Sequence, residues 1–368
     1  MATPLPLGTQ TLYAELLEHL IGVHAQRSIG QLTGSFAEKT IKGERYLYWQ
    51  ASQPGGKTKQ FYIGRRTPTL TRMITRFERS QTDIQPDIER IRRLAAQLRA
   101  GGANMTDGPS ARVVRALAES GLFDAGAVLV GTHAFAVLGN VLSVKWISGA
   151  LRTQDADLAT AVGADIDVAV PDLEADVPSV LESLKMGFLP VPPLDPKEPS
   201  TSFKVRGQAL RVDLLCPKRG TSDKPVFVRR FNAAAQPLAH LDYLLEAPEK
   251  ALIIDGGAAL VNVPAPARFA FHKLLVATLR PAAFQSKAEK DVAQACEVLE
   301  VLLSERPGDL PLAWDNLRTR GTRWEKAARQ GLVLASRHRR DIHKRVLLAL
   351  GPDGSRRQKG AKRGRSDH

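Results

Sequence analysis

Cysteine is nearly absent: Cys216 and Cys296 are the only two in 368 residues, far apart in sequence and outside any metal-binding spacing. Neither a disulfide framework nor a zinc site is therefore expected, and Cys216, at the end of an apolar run, reads as a small buried hydrophobe. No stretch of eighteen apolar residues occurs, so no membrane-spanning helix is expected. The N-terminus lacks a charged-then-apolar signal pattern, and the expectation is a cytoplasmic protein without membrane contact. Internal repeats are missing as well. Acidic residues are in deficit, with 38 Asp and Glu against 52 Lys and Arg, a formal net charge of +14. Such an excess suits a polyanionic partner, whether tRNA, another RNA or DNA. Part of it lies between Arg356 and Arg365, a tail with little apolar surface to bury, expected to be disordered and to raise nonspecific affinity in a salt-dependent way. The hydrophobic content of 43% is enough for real cores in two or three domains.

Against these absences stands a distinctive set of carboxylates. Residues two apart on a strand share a face, so in Asp155-Ala156-Asp157-Leu158 the two acids point together while Ala156 and Leu158 turn away. Arg211-Val212-Asp213-Leu214 is a second alternating strand with one acid. If Asp213 joins the pair from a neighbouring strand, three negative groups crowd within about 5 Å, each pair repelling by roughly 3 kcal/mol at an effective dielectric near 20. Mg²⁺ or Mn²⁺ relieves that repulsion, and oxygen ligands suit these hard ions. Upstream, the apolar run Ala127 to Val130 ends in Gly131-Thr132, after which His133 to Asn140 reads as a helix start. Glycine there lets backbone approach phosphate oxygens, and a helix N-terminus favours an anion. Asp165 and Asp167 form a competing pair on another alternating run, and the residues alone leave both pairs open. Ser202, Lys204 and Arg206 share a strand face, so Lys204 and Arg206 meet either phosphate or acceptor, or else plain solvent.

A Gly-Thr turn, an Asp-x-Asp strand and a third acid on a later strand together resemble the nucleotidyltransferase superfamily with the DNA polymerase β-like fold. Arg152-Thr153-Gln154-Asp155-Ala156-Asp157-Leu158 is similar to the branch that contains AbiEii-type and MenT-type toxins. Val130-Gly-Thr-His-Ala-Phe135 and the stretch Ser200 to Asp213 look closer still to a group of bacterial nucleotidyltransferase-like proteins. The likeness runs from about residue 115 to 300. It departs from the pattern in the longer gap between Gly131 and Asp155, which suggests an inserted loop around Trp146 to Leu151, and in the small Ala156 between the paired acids. The resemblance implies transfer of a nucleoside monophosphate from an NTP to an acceptor hydroxyl, with release of pyrophosphate. It implies Asp155, Asp157 and Asp213 as catalytic ligands of Mg²⁺ or Mn²⁺, and Gly131, Thr132, Arg152, Thr153, Lys204 and Lys273 as nucleotide-binding residues. The acceptor is expected on RNA, tRNA in particular, or on protein, and the toxin branch adds an antitoxin as a partner. The alternative is a catalytically inactive nucleic-acid-binding or regulatory protein on the same scaffold. A small-molecule transferase fits the basic N-terminal region less well.

The expected architecture is α+β: a small mixed-sheet core with flanking helices over 113–235, an accessory module over 1–112, a helical subdomain over 236–350 and the basic tail over 351–368. In the accessory module a helix from Thr11 to Val23 precedes three strands, Gly34 to Ile41, Glu44 to Ala51 and Lys59 to Ile63. Tyr46 and Tyr48 share a face of that sheet, which either packs as core or receives a base or backbone. Gly101-Gly102 and Gly108-Pro109 mark a linker. Further on, Pro266 opens a helix that Pro281 ends, and Ser286 to Glu289 has the form of a capping box.

Overall fold

The computed structural model describes residues 2–30, 34–41, 43–52, 58–68, 70–72, 74–75, 84–146, 155–160, 175–193 and 195–351. Helices and sheets are mixed along the chain, as an α+β reading requires. The N-terminal part comprises β1 (Thr3–Pro4), α1 (Leu7–Gly30), the antiparallel meander β2 (Gly34–Ile41), β3 (Glu44–Ser52) and β4 (Thr58–Arg65), and α2 (Ile84–Ala100). All three meander strands fall where the alternating pattern puts them.

The segment read as a linker is packed instead. Ala103 and Asn104 are 5% and 9% exposed. The Asn104 amide nitrogen donates to the Val144 carbonyl at 2.7 Å, its backbone N–H donates to Asn140 Oδ1 at 2.8 Å, and its Oδ1 accepts from the Trp146 N–H at 3.2 Å. A buried amide side chain leaves no polar atom stranded only when its neighbours supply such partners. After it, Asp107 caps α3 (Gly108–Glu119) by accepting from the Ser110 N–H at 3.0 Å, with Pro109 in the first turn where its missing N–H costs nothing.

The central sheet begins with β5 (Ala127–Val130), all four residues of which are buried. It leads directly into α4 (Gly131–Val141). Then follow the short β6 (Val144–Lys145), which pairs with β1, and β7 (Asp155–Thr160). Trp146 does not sit on an inserted loop: it is 3% exposed and stacks on Phe135 with ring centroids 4.7 Å apart. Residues 147–151, the remainder of that expected insertion, lie outside the described residues, as do 152–154, Asp165 and Asp167. After α5 (Val177–Ser183) come β8 (Phe188–Pro190), β9 (Ser202–Val205), β10 (Arg211–Pro217), β11 (Val226–Val228) and β12 (Ala233–Leu238). The sheet runs β11-β12-β10-β7-β5, with β9 pairing β10 and β8 pairing β9. Strands β7, β10 and β12 are mutually parallel where they pair, and β5 is antiparallel to β7.

Residues beyond 236 do not turn helical at once. They finish β12, form the short α6 (Leu241–Leu245), and then build a hairpin, β13 (Glu249–Ile254) and β14 (Ala258–Val263). Asn262 on β14 donates to the Phe123 and Ala127 carbonyls at 2.7 and 2.8 Å, fixing the hairpin beside β5. Tyr13, Leu16 and Leu20 of α1 and Leu94 and Leu98 of α2 pack with Leu252, Ile254 and Leu260 of the hairpin. Helix α7 (Pro266–Leu279) is buried on most of its surface and carries α8 (Gln285–Glu305), α9 (Asp309–Thr319) and α10 (Thr322–His338) around it, while α11 (Ile342–Ala349) packs on α8 and α10. The close crossing of α7 and α10 depends on Gly331, where a Cβ would lie 2.5 Å from the Leu274 carbonyl oxygen. The expected capping box is not formed, since α8 starts at Gln285 with no side-chain cap. A 3₁₀ turn over Ala282–Phe284 starts the winding early, so Ser286 already lies inside the first turn and lacks the extended cap conformation.

Asn104→Ala should strand the Val144 carbonyl and the Trp146 N–H and cost about 2–4 kcal/mol. A lower urea midpoint than wild type checks this, and the change should exceed that of Thr11→Ala, whose exposed hydroxyl only returns to its own helix.

Candidate active site

The candidate site is built by sheet register. Strand β7 lies between β5 and β10, with Val130 of β5 opposite Asp157 in an antiparallel pair. On the other side Asp213 of β10 is the partner of Asp157, and Arg211 the partner of Asp155, in a parallel pair. Neighbouring strands lie about 4.8 Å apart, so positions 157 and 213 are adjacent although 56 residues apart in sequence. Beyond β10 the row continues to Ser202 and Lys204 of β9, the partners of Asp213 and Arg211.

Gly131 follows the Val130 partner of Asp157 and begins α4 at φ 70°, a left-handed value that a Cβ opposes. Val130 makes no side-chain cap, so the first N–H groups of the helix have no cap to bind and point where an anion is favoured. Thr132 is the next residue and is buried. The glycine turn, Asp157 and Asp213 thus fall in one line across three strands. Arg152 and Thr153 lie outside the described residues, and Asp155 and Asp157 are described by their backbone placement alone.

Strand β10 alternates between half-buried and buried positions. Val212, Leu214 and Cys216 fill the core side, which leaves Arg211 and Asp213 on the other. Asp213 Oδ1 accepts from Ser202 Oγ and from Arg211 Nε, the latter at 2.6 Å, and Arg211 Nη2 donates to Ser202 Oγ at 2.8 Å. Among the described residues Oδ2 of Asp213 has no hydrogen-bond partner, and its side chain is 20% exposed. Lys204 is exposed on the same strand face as Ser202. Arg211 and Ser202 were not singled out from the sequence as site residues, although their signal is there: each occupies the Asp213 side of an alternating strand. Among the described side chains no group of three His, Cys, Asp or Glu converges on a metal position.

Lys273 belongs to a different constellation. Its Nζ donates to Asp291 Oδ1 at 2.6 Å, while Arg280 donates to Oδ2 at 2.6 and 2.8 Å. Asp291 is 4% exposed, and the pair of cations clamps α7 to α8. The seven-residue spacing of Lys273 and Arg280 does put them on one face, but that face holds a carboxylate of the protein itself. A phosphate bound by Lys273 would first have to displace Asp291.

The fold is that of an α+β protein in which strand register sets Asp157 and Asp213 side by side next to an uncapped helix N-terminus. The family described as Nucleotidyltransferase matches residues 109–319, over half of the chain, and the protein belongs to it. No curated protein matches the chain. Among solved structures, an antigenic nucleotidyltransferase-like protein from Paracoccidioides brasiliensis is similar at 13% identity and a TM-score of 0.36, covering 66% of this chain and 94% of that one.

Beside Lys273, His272 is buried, and among the described residues neither of its ring nitrogens has a hydrogen-bond partner. Burial, reinforced by the charge of Lys273, pushes it down to about 3. Its folded value lies below its unfolded one, so between about 6.5 and 3 the unfolded chain binds the extra proton and stability falls as pH falls. His272→Leu should flatten the acid limb of the melting temperature across that window. An unchanged limb would assign acid lability elsewhere.

Proposed function

We propose that this protein is a divalent-metal-dependent nucleotidyltransferase that moves a nucleoside monophosphate from an NTP to a hydroxyl on RNA, tRNA being the foremost acceptor. The observation that carries the reading is the register that sets Asp157 beside Asp213, one residue from the Gly131 turn. The catalytic unit is the region 113–235, with 1–112 and 236–350 flanking it, and NTP supply puts the reaction in the cytoplasm.

The donor set fits Mg²⁺ or Mn²⁺: the carboxylates of Asp155, Asp157 and Asp213 are hard oxygen ligands, and among the described residues Asp213 keeps one oxygen without a partner while the other is held. When bound, such an ion neutralises charge on the phosphates and draws attacking and leaving oxygens into line. The remaining work falls to the chain. The N–H groups of Gly131 and Thr132 receive phosphate oxygens at the start of α4, and Arg152 and Thr153 are assigned to the same nucleotide by the family resemblance alone. Asp213, aimed by Ser202 and Arg211, takes the proton from the acceptor hydroxyl as its oxygen bonds to the α-phosphorus and the bond to pyrophosphate breaks. Lys204, exposed beside Arg211, steadies the incoming polyanion. Lys273 is assigned to the nucleotide only in a state in which Asp291 has released it.

The formal charge of +14 supports a polyanionic acceptor over a neutral small molecule. A toxin of the AbiEii or MenT kind, held in check by an antitoxin, is the biological setting the Asp-x-Asp strand suggests; a protein hydroxyl is the other acceptor consistent with that setting.

Incubation with labelled NTPs, Mg²⁺ and total RNA should label RNA, and Asp157→Asn and Asp213→Asn should each reduce transfer at least about a hundredfold. Retained melting temperatures must accompany the loss. Equal RNA retention with no transfer by any variant, wild type included, would instead make the protein a binder on an inactive scaffold.

A further inference from the structure

The N-terminal meander carries chemistry that nucleotidyl transfer does not use. Register pairs Tyr48 with Tyr62 and Tyr46 with Arg65, while a bulge falls between Leu47 and Tyr48. Residues 62 and 65 are three apart and on a regular strand would face opposite ways. The irregularity brings both to the side of Tyr46 and Tyr48, as bulges do when they re-aim a side chain. The three rings form one inclined cluster: Tyr62 lies 5.6 Å from Tyr48 at 64° and 6.1 Å from Tyr46 at 49° between ring planes, so each ring offers its own face. Tyr62 is 60% exposed, whereas Leu47 on the opposite face is 5% exposed, so the rings are not this sheet's core. Lys39 lies 5.0 Å over the Tyr48 ring and donates to Gln60 at 2.6 Å.

At the end of the sheet where Arg65 pairs with Tyr46, a groove of about 790 Å³ opens, lined by Arg45, Arg65, Arg66 and Arg72 with Glu44. Glu38 pairs with Arg45 and Arg66, and Glu44 with Arg65. Arg72 has no ion pair among the described residues. Four guanidinium groups against two carboxylates leave the groove cationic, and its Arg65 is the strand partner of Tyr46 at the edge of the ring cluster.

We propose that this face binds single-stranded nucleic acid, with bases stacked on Tyr46, Tyr48 and Tyr62 and phosphates in the arginine groove. Flat apolar rings bordered by fixed cations match a strand whose bases are unpaired, because every base offers a π-face and every phosphate a charge. A duplex hides its bases and would meet the arginines alone. In taking the bound strand to be the acceptor, the proposal rests on the transfer reading; in binding, it does not.

Fluorescence anisotropy on the full chain without NTP, using a labelled oligo-uridylate about 12 nucleotides long and the matching oligo-thymidylate, tests it. Tyr62→Ala should weaken binding roughly tenfold or more, and Tyr62→Phe should keep wild-type affinity, since it retains the ring. Arg72→Gln should reduce the slope of log affinity against log salt by about 0.7. The tighter of the two oligonucleotides identifies the sugar of the natural ligand. Asp213→Asn should bind as wild type does, so a failure of transfer and a failure of docking are read separately. The proposal is overturned if wild type binds neither strand at low salt, or if Tyr62→Ala binds like wild type, which would assign binding to the basic sequence at 356–365. It also fails if a duplex competes as well as a single strand, or if Tyr62→Ala only dissolves a dimer and leaves affinity for nucleic acid intact.

Discussion

The parallel pairing of β7 with β10 is the constraint on which the site depends. Side chains alternate along a strand, so a slip of one residue would set Asp213 beside Ala156 or Leu158 and turn it toward the other face. What prevents the slip is apolar burial. Val212, Leu214 and Cys216 are all 2% exposed or less, and they can fill the core only in the observed phase. The hydrophobic side of β10 therefore positions the carboxylate on its polar side. The same holds one strand away, where Phe203 and Val205 are buried and Ser202 is left to meet Asp213 and Arg211.

The rest of the molecule keeps that sheet in place. Asn262 pins the hairpin to β5, and the Tyr13 hydroxyl accepts from the Leu252 N–H at 3.2 Å, so the N-terminal helices close over the hairpin's outer side. Asn104 joins the chain after α2 to α4 and β6 through buried hydrogen bonds. Helix α7 forms the axis of the C-terminal helices, and the Asp291 clamp spans α7 and α8. Burial raises the cost of the Asp291 charge, yet Lys273 and Arg280 together hold its carboxyl below the usual range, so the clamp stays ionised at neutral pH.

Local patterns were readable from the chain because they depend on near neighbours. The apolar run into Gly131, the alternation of β9 and β10, the three meander strands and the proline-bounded α7 all come from period and turn chemistry. Apart from Asp213, placed beside Asp157 through the family resemblance, partners distant in sequence were not readable. Nothing around Trp146 shows that it stacks on Phe135, and nothing around Asn104 separates a packed segment from a glycine-marked linker, whereas the hairpin at 249–263 did carry a signal, Asp255-Gly256-Gly257 between two apolar runs, that the reading of this region as helical passed over. Lys273 illustrates the same gap: its helix and face follow from the sequence, but its engagement by Asp291 depends on how two helices cross. Arg211 stood two residues before a carboxylate in plain view, and only the register of β9 shows that it and Ser202 aim that carboxylate together.

The central claim is that acidic groups from β7 and β10 converge on one divalent cation, and Mn²⁺ binding followed by electron paramagnetic resonance in the presence of a non-hydrolysable NTP tests it most directly. Asp157→Asn and Asp213→Asn should each weaken Mn²⁺ binding about tenfold or more, and the double variant should lose little beyond either single one, as expected for groups that act as a unit. Mn²⁺ affinity unchanged in both single variants, with the fold intact, would contradict the account.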